Sequence, residues 1–349
     1  KATHGEGFIR GFFNVIKSAT TGTGAALERL FITGVSPVTM DDVTSGFNIG
    51  TNITNDSWFN DLVGFSENEL REMLEYYKEQ GVLQESIDEI VAMMKPNYDN
   101  YCFSEDTLEQ CMFNSDMALY FLKSFVLHHK KPKEIVDPNI RTDFNKLAYL
   151  IKLDHGLGEN FSVIKEIAEQ GEIITDIVTH FSALEMTDPS NFKSLLFYFG
   201  LLSIKGVDMV GRPILHVPNL VVREQLFNFL IQGYIKHDIF KIDMNKMSAL
   251  FENMAFRGDW KPLFDFIANA VREQSRIREY IEGEAHIKGF LLAYLGMYRY
   301  YQLYPEYELN KGFADFFFKP SLSVPVLPPF TYLLEVKYAK AGASEKEIR

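Results

Sequence analysis

Four side chains towards the C-terminal end, Glu284, Asp315, Glu335 and Lys337, have types and spacing that could do chemistry together. Asp315 interrupts the run Gly312-Phe313-Ala314-Asp315-Phe316-Phe317-Phe318. Glu335 and Lys337 interrupt Thr331-Tyr332-Leu333-Leu334-Glu335-Val336-Lys337-Tyr338. Apolar, aromatic-rich runs bounded by Gly and Pro read as two strands. Strand alternation points Glu335 and Lys337 one way and Leu334, Val336 and Tyr338 the other. Two carboxylates and an ammonium on one side of a small sheet can hold a divalent ion and steer a water. The competing arrangement is structural: Lys337 pairs with Asp315 across strands, and Glu335 is exposed at a sheet edge.

The element that must bring Glu284 to this sheet is a helix. Ile287, Phe290, Leu291, Tyr294, Leu295 and Tyr298 recur three and four apart and make one buried stripe. Glu284 falls on the stripe side in the first turn, where an acid is either a charge favoured by the helix dipole or a site residue. Just upstream, Arg272, Arg276 and Arg278 either contact a phosphate backbone or form a solvated face paired with Glu273 and Glu279.

The rest of the chain reads as mainly α with α/β parts. A helix over Gly7–Ser18 and a turn at Thr20–Gly24 lead to Leu30–Val35, a short buried strand, which is an α/β pattern. Gly22-Thr23-Gly24 is not followed by Gly-Lys-Ser/Thr, so no phosphate loop is present. Ser66 to Glu69 caps an amphipathic helix carrying Leu70, Met73, Leu74 and Tyr77, and Ile87–Met94 forms another. Lys123, Lys130, Lys131 and Lys133 mark a solvated helix end. The adjacent His128 and His129 diverge on a helix and lack a third ligand. A helix with Phe192, Leu195, Leu196 and Phe199 ends at Gly200. A hairpin over Ile204–Val217 turns at Gly206 and Gly211-Arg212-Pro213, and a helix over Leu220–Tyr234 follows. Helix, hairpin, helix is the outline of a winged helix. Its only basic residues near key surfaces are Arg212 and Arg223, which favours a packing or protein-docking module over a base reader. Stripes at Met247, Leu250, Phe251 and Met254, and at Leu263, Phe264, Ile267 and Val271, read as core helices.

The chain has 349 residues, 46% hydrophobic and 23% charged, enough for two or three domains of ordinary soluble composition. The longest apolar run, Leu195–Ile204, falls short of the ~20 residues that span a bilayer, so no membrane partner is expected. Cys102 and Cys111 have no metal-type spacing, and together with the lack of a secretory signal they point to a reduced, cytoplasmic setting. The net charge of −12 argues against a general polyanion binder. Residues 1–235 carry 19 basic and 32 acidic residues, whereas 236–349 carry 16 and 15. The acidic excess thus lies away from the candidate site, and a nucleic-acid substrate remains open. Lys1 in place of Met, leading at once into an apolar-periodic segment, reads as the start of a fragment.

Several blocks carry a family resemblance. The segments from Leu27 to Leu70, Pro96 to Ser104, Met112 to Leu122 and Ile140 to Ile151 resemble the later part of a predicted AAA-ATPase-like domain found in bacterial proteins fused to a PD-(D/E)XK nuclease-like domain. The resemblance implies that the Walker motifs and the ATP they bind lie upstream, and that Thr33 ends a central strand near the γ-phosphate. The bland alternative is a strand-terminating Thr before a turn. It divides the chain into the end of an ATPase-like domain (1–150), a helical, winged-helix-like middle (151–235) and an incomplete nuclease-like α/β domain (236–349).

Glu284 on a helix, Asp315 on one strand and Glu335-Val336-Lys337 on the next resemble the constellation of that nuclease superfamily. By that resemblance, Asp315 and Glu335 bind Mg²⁺ or Mn²⁺ with Glu284 assisting, and Lys337 positions or helps deprotonate the attacking water. Phosphodiester cleavage needs an available nucleophile and charge compensation on phosphoryl and leaving oxygens. Hard oxygen ligands suit Mg²⁺, and a lysine is a compact point charge for a water or phosphate oxygen. Two departures stand out. Phe313 occupies a position where some relatives have Arg, and a further helix and strand expected after the Glu335–Lys337 strand do not fit before Arg349. The implied protein is a metal-dependent nuclease acting on nucleic acid, DNA favoured, coupled to an ATPase-like module. The alternative is an inactive nuclease-like, winged-helix protein that binds nucleic acid or a protein partner. The helical middle could also support a homo-oligomer.

Overall fold

The computed structural model describes residues 8–34, 50–130, 132, 136–137, 158–179, 185, 188–274, 276–277, 281, 283–310, 312–321, 324 and 326–337. Val35, Lys131, Lys133, residues 140–151, Arg278, Glu279 and Tyr338 lie outside them. The chain divides into two units: Lys1–Val163 with Glu172–Leu220, and Ile164–Gly171 with Val221–Arg349. Among the described residues the strands form two three-stranded sheets, both antiparallel. No helix among them is long and apolar enough to cross a membrane.

The first unit opens with α1 (Phe8–Thr20). The expected strand after it does not form. Leu30, Phe31 and Ile32 are 40%, 64% and 39% exposed, and Thr33 is exposed on an extended, unpaired segment. An apolar run becomes a strand only where a neighbour takes its backbone hydrogen bonds, and no described strand lies beside this one. Thr33 therefore ends no described strand.

Helix α2 (Glu67–Glu79) begins as its sequence dictates. The Ser66 hydroxyl accepts the Glu69 N–H at 3.2 Å, while the Glu69 carboxylate accepts the Ser66 N–H at 2.8 Å. Two otherwise orphaned N–H groups are thereby satisfied. Ser66→Ala should cost about 1 kcal/mol, read as a lower urea midpoint for this unit. Leu70 and Leu74 bury fully, as do Ile90 and Met94 of α3 (Ile87–Tyr98). Helix α4 (Ser115–His128) ends on His129, a left-handed cap with φ 50°; both histidines are exposed at that end.

After α5 (Glu159–Gln170), strand β1 (Glu172–Ile174) and α6 (Pro189–Tyr198) precede the hairpin of β2 (Ser203–Val207) and β3 (Pro213–His216). The order across the sheet is β1-β3-β2. Asp208 accepts the N–H groups of Val210 and Arg212 and pairs with the Arg212 guanidinium at 2.8 Å, which fixes the hairpin tip.

The second unit contains α7 (Leu220–Lys236) from Val221 onward, α8 (Met244–Arg257), α9 (Lys261–Glu273) and α10 (Glu284–Gly296). Helices α8 and α9 bury the expected stripe residues Met247, Phe251, Met254, Leu263 and Ile267. Between them Gly258 closes α8 in the left-handed conformation, φ 76°. Arg276 pairs with Asp238 at 3.7 Å, and Arg272 donates to Asn269 at 3.3 Å. Asp238, distant in sequence, is thus one acid that this basic stretch meets.

The meander of β4 (Tyr301–Leu309), β5 (Gly312–Pro320) and β6 (Tyr332–Leu334) completes this unit. Strand β4 was not legible as a strand, because Pro305, Glu306 and Glu308 break its alternation. It nevertheless pairs with β5 along its length, from Tyr301 opposite Pro320 to Leu309 opposite Gly312. Directly paired residues share a face. Leu303, Phe318 and Tyr332 make one row, while Tyr304, Phe317 and Leu333 lie on the opposite face. The Tyr332 hydroxyl donates to the Met254 carbonyl at 2.7 Å, tying β6 to α8.

Candidate active site

Helix α10 is held by its aromatic residues. Phe290 meets Phe240 edge-on at 4.5 Å, and Tyr294 meets the same ring at 5.3 Å, with Tyr234 stacked at 6.5 Å from Tyr294. Phe290, Leu292, Ala293, Tyr294 and Leu295 are all buried, so the last two turns are anchored on more than the predicted stripe. The first turn is left at the meander, where Glu284 and, one turn on, Lys288 project.

Asp315 lies in mid-β5 and is only 6% exposed. The pairs Pro305–Phe316 and Tyr307–Ala314 flank it, so the same register sets Glu306 across from it. Lys288 pairs with one oxygen of Asp315. The other oxygen accepts the Val336 N–H at 2.5 Å. That bond fixes the segment just after β6 against β5. The Lys288 ammonium also reaches Glu306 at 2.9 Å and Glu284 at 3.3 Å. Burial opposes the charge on Asp315, but the Lys288 ammonium and the Val336 N–H outweigh it and hold the carboxyl below the usual aspartate range. Burial likewise opposes the charge on Lys288. Its carboxylate partners, Asp315 foremost, overcome that penalty and raise its pKa.

Glu335 and Lys337 follow β6 as alternation requires. Val336 is 8% exposed, while the Glu335 and Lys337 side chains are 51% and 63% exposed. They pair with each other at 2.5 Å. The competing cross-strand pair of Lys337 with Asp315 is replaced by Lys288 with Asp315. Lys337 remains within electrostatic range of Glu284 and Asp315, and its pKa is raised, by Glu335 first and by those two acids after it.

The fold therefore gathers Glu284 and Asp315 around one ammonium, with Lys337 nearby, and leaves Glu335 turned to solvent. Sequence reasoning missed Lys288 and Glu306. The four-residue spacing from Glu284 to Lys288 was a usable signal for that ion pair; nothing local announced Glu306.

Residues 282–349 match the family model described as PD-(D/E)XK nuclease superfamily. The similarity to that superfamily is confined to these residues. Comparison with curated proteins and comparison with solved structures each gave no match. The matched segment holds Glu284, Lys288, Glu306, Asp315, Glu335 and Lys337, so every side chain of this site belongs to it.

The donor chemistry of the domain's acids suits a hard divalent ion, which takes oxygen ligands. Their arrangement does not yet suit one. Among the described residues no group of three or more His, Cys, Asp or Glu side chains is placed to hold a metal ion. Both Asp315 oxygens are engaged, and Glu335 is occupied by Lys337.

Proposed function

We propose that the C-terminal domain is a nuclease that hydrolyses phosphodiester bonds of nucleic acid, DNA favoured, with Glu284, Asp315, Glu335 and Lys337 as its reacting set. The observation that carries this reading is Asp315: a charged side chain, nearly buried, on the central strand of the meander, with an acid from a helix and the Glu335–Lys337 pair beside it. A buried charge is costly unless it is paired, and here it is retained within a nuclease-superfamily segment.

Released from Lys288 and Lys337, Asp315 and Glu335 together with Glu284 would offer oxygen ligands to Mg²⁺ or Mn²⁺, which would supply charge compensation at the scissile phosphate. The chain's own groups supply the rest. Lys337 is exposed and can place its ammonium on a water or phosphate oxygen. The Val336 N–H fixes the orientation of Asp315. The full chain should cleave single- or double-stranded DNA or RNA in Mn²⁺ or Mg²⁺. Cleavage that persists in an Asp315→Ala/Lys337→Ala double variant would remove these residues from the site.

A second reading is favoured by the outward turn of Glu335: a nuclease-like domain without catalysis, serving to bind a nucleic acid or a protein. In the first unit, the succession β1, α6, β2, β3 and the sheet order β1-β3-β2 support a winged helix. Its tip arginine is committed to Asp208. In the second unit, Arg223 lies over the Phe227 ring at 5.6 Å, and burial pushes its pKa down to about 10. Neither arginine is available to read bases, which supports protein docking as the role of this module. Coupling to an ATPase-like part remains an inference from the resemblance of the N-terminal blocks.

A further inference from the structure

Lys288 stands where three acids from different elements meet. Glu284 precedes it by one turn on α10, Glu306 comes from β4 and Asp315 from β5. Its ammonium lies 3.3 Å from Glu284 and 2.9 Å from Glu306, and it also contacts Asp315. The lysine side chain is 22% exposed and Asp315 only 8%, so the contact is screened from water more than a surface ion pair is. Glu306 adopts a left-handed backbone, φ 47°, in mid-strand. A residue with a Cβ takes that conformation at a cost, and at this position its carboxylate meets Lys288.

We propose that Lys288 is a built-in counter-ion of the nuclease site: its ammonium holds the cation position at Asp315, and a divalent ion binds there only by displacing it. This rests on the nuclease reading above. An ammonium in contact with the Asp315 oxygen facing Lys288 competes with a metal ion for it, since two cations at one poorly solvated carboxylate repel strongly. The other oxygen already accepts the Val336 N–H. The long, flexible lysine stem lets the ammonium leave Asp315 while remaining within reach of Glu306 or Glu284. The buried carboxylate is thus neutralised from within the chain, and metal affinity is reduced by the strength of that pair.

Calorimetric titration of the full chain with Mn²⁺ tests this without reference to activity. Lys288→Met keeps the stem and removes the charge, and should bind Mn²⁺ about tenfold tighter than the parent protein. Lys288→Gln provides a second uncharged variant if the first does not fold. Lys288→Arg, which retains the charge, should stay close to the parent. Equal or weaker Mn²⁺ binding in the folded uncharged variants, with binding still lost in Asp315→Asn, overturns the counter-ion role alone. Mn²⁺ binding that survives Asp315→Asn instead overturns the nuclease-site reading itself.

Discussion

Asp315→Asn should reduce phosphodiester cleavage by about a hundredfold or more, the usual scale for losing one preorganised electrostatic group. The substitution is nearly isosteric, and its amide oxygen can still accept the Val336 N–H that Asp315 now binds at 2.5 Å. What disappears is the charge facing Lys288. Lys288 retains Glu284 and Glu306, so it is not left as an uncompensated buried cation. The stability cost should therefore be about 1.5–3 kcal/mol, the range for a hydrogen bond to a charged group. Cleavage and urea denaturation measured on the same preparation separate the two effects. A folded Asp315→Asn protein with more than about a tenth of parental activity would show that the charge is not part of the chemistry.

Gly296→Ala should destabilise the second unit by about 1–3 kcal/mol through overpacking. Gly296 is the last residue of α10, and a Cβ added there would lie 2.3 Å and 2.6 Å from two atoms of the Phe227 ring. Phe227 is 2% exposed on α7, and a rigid buried ring cannot swing aside as a flexible side-chain end could. The helix preference for Ala over Gly offsets at most about 1 kcal/mol, less at a terminal position. The protein has two tryptophans, Trp58 in the first unit and Trp260 in the second. Fluorescence of Trp260 in a Trp58→Phe background would follow the second unit through urea denaturation. An unchanged midpoint would mean that α10 can shift away from α7 at no cost.

These two positions differ in how far local sequence could reveal them. Asp315 is conspicuous because an acid inside an aromatic strand violates the usual pattern, and such violations mark sites. Gly296 is inconspicuous, because only the arrival of α7 makes its missing Cβ matter. Leu30–Val35 shows the reverse failure: an apolar run that reads as a strand is exposed over Leu30–Gly34 and pairs with no described strand.

The sequence by itself determined the elements whose cause is local. Helical stripes placed α7 to α10, the reciprocal Ser66–Glu69 bonds started α2, and Gly and Pro marked the β2–β3 hairpin. Alternation alone set Glu335 and Lys337 on one side and Val336 on the other. Tertiary structure decided what depends on partners distant in the chain. It made a strand of Tyr301–Leu309 despite its proline, because β5 accepts its backbone along nearly the whole length. It also chose the cation for Asp315. Periodicity reports which way a side chain faces, whereas an ion pair depends on distance between elements. Distance brought Lys288, not Lys337, to the buried carboxylate.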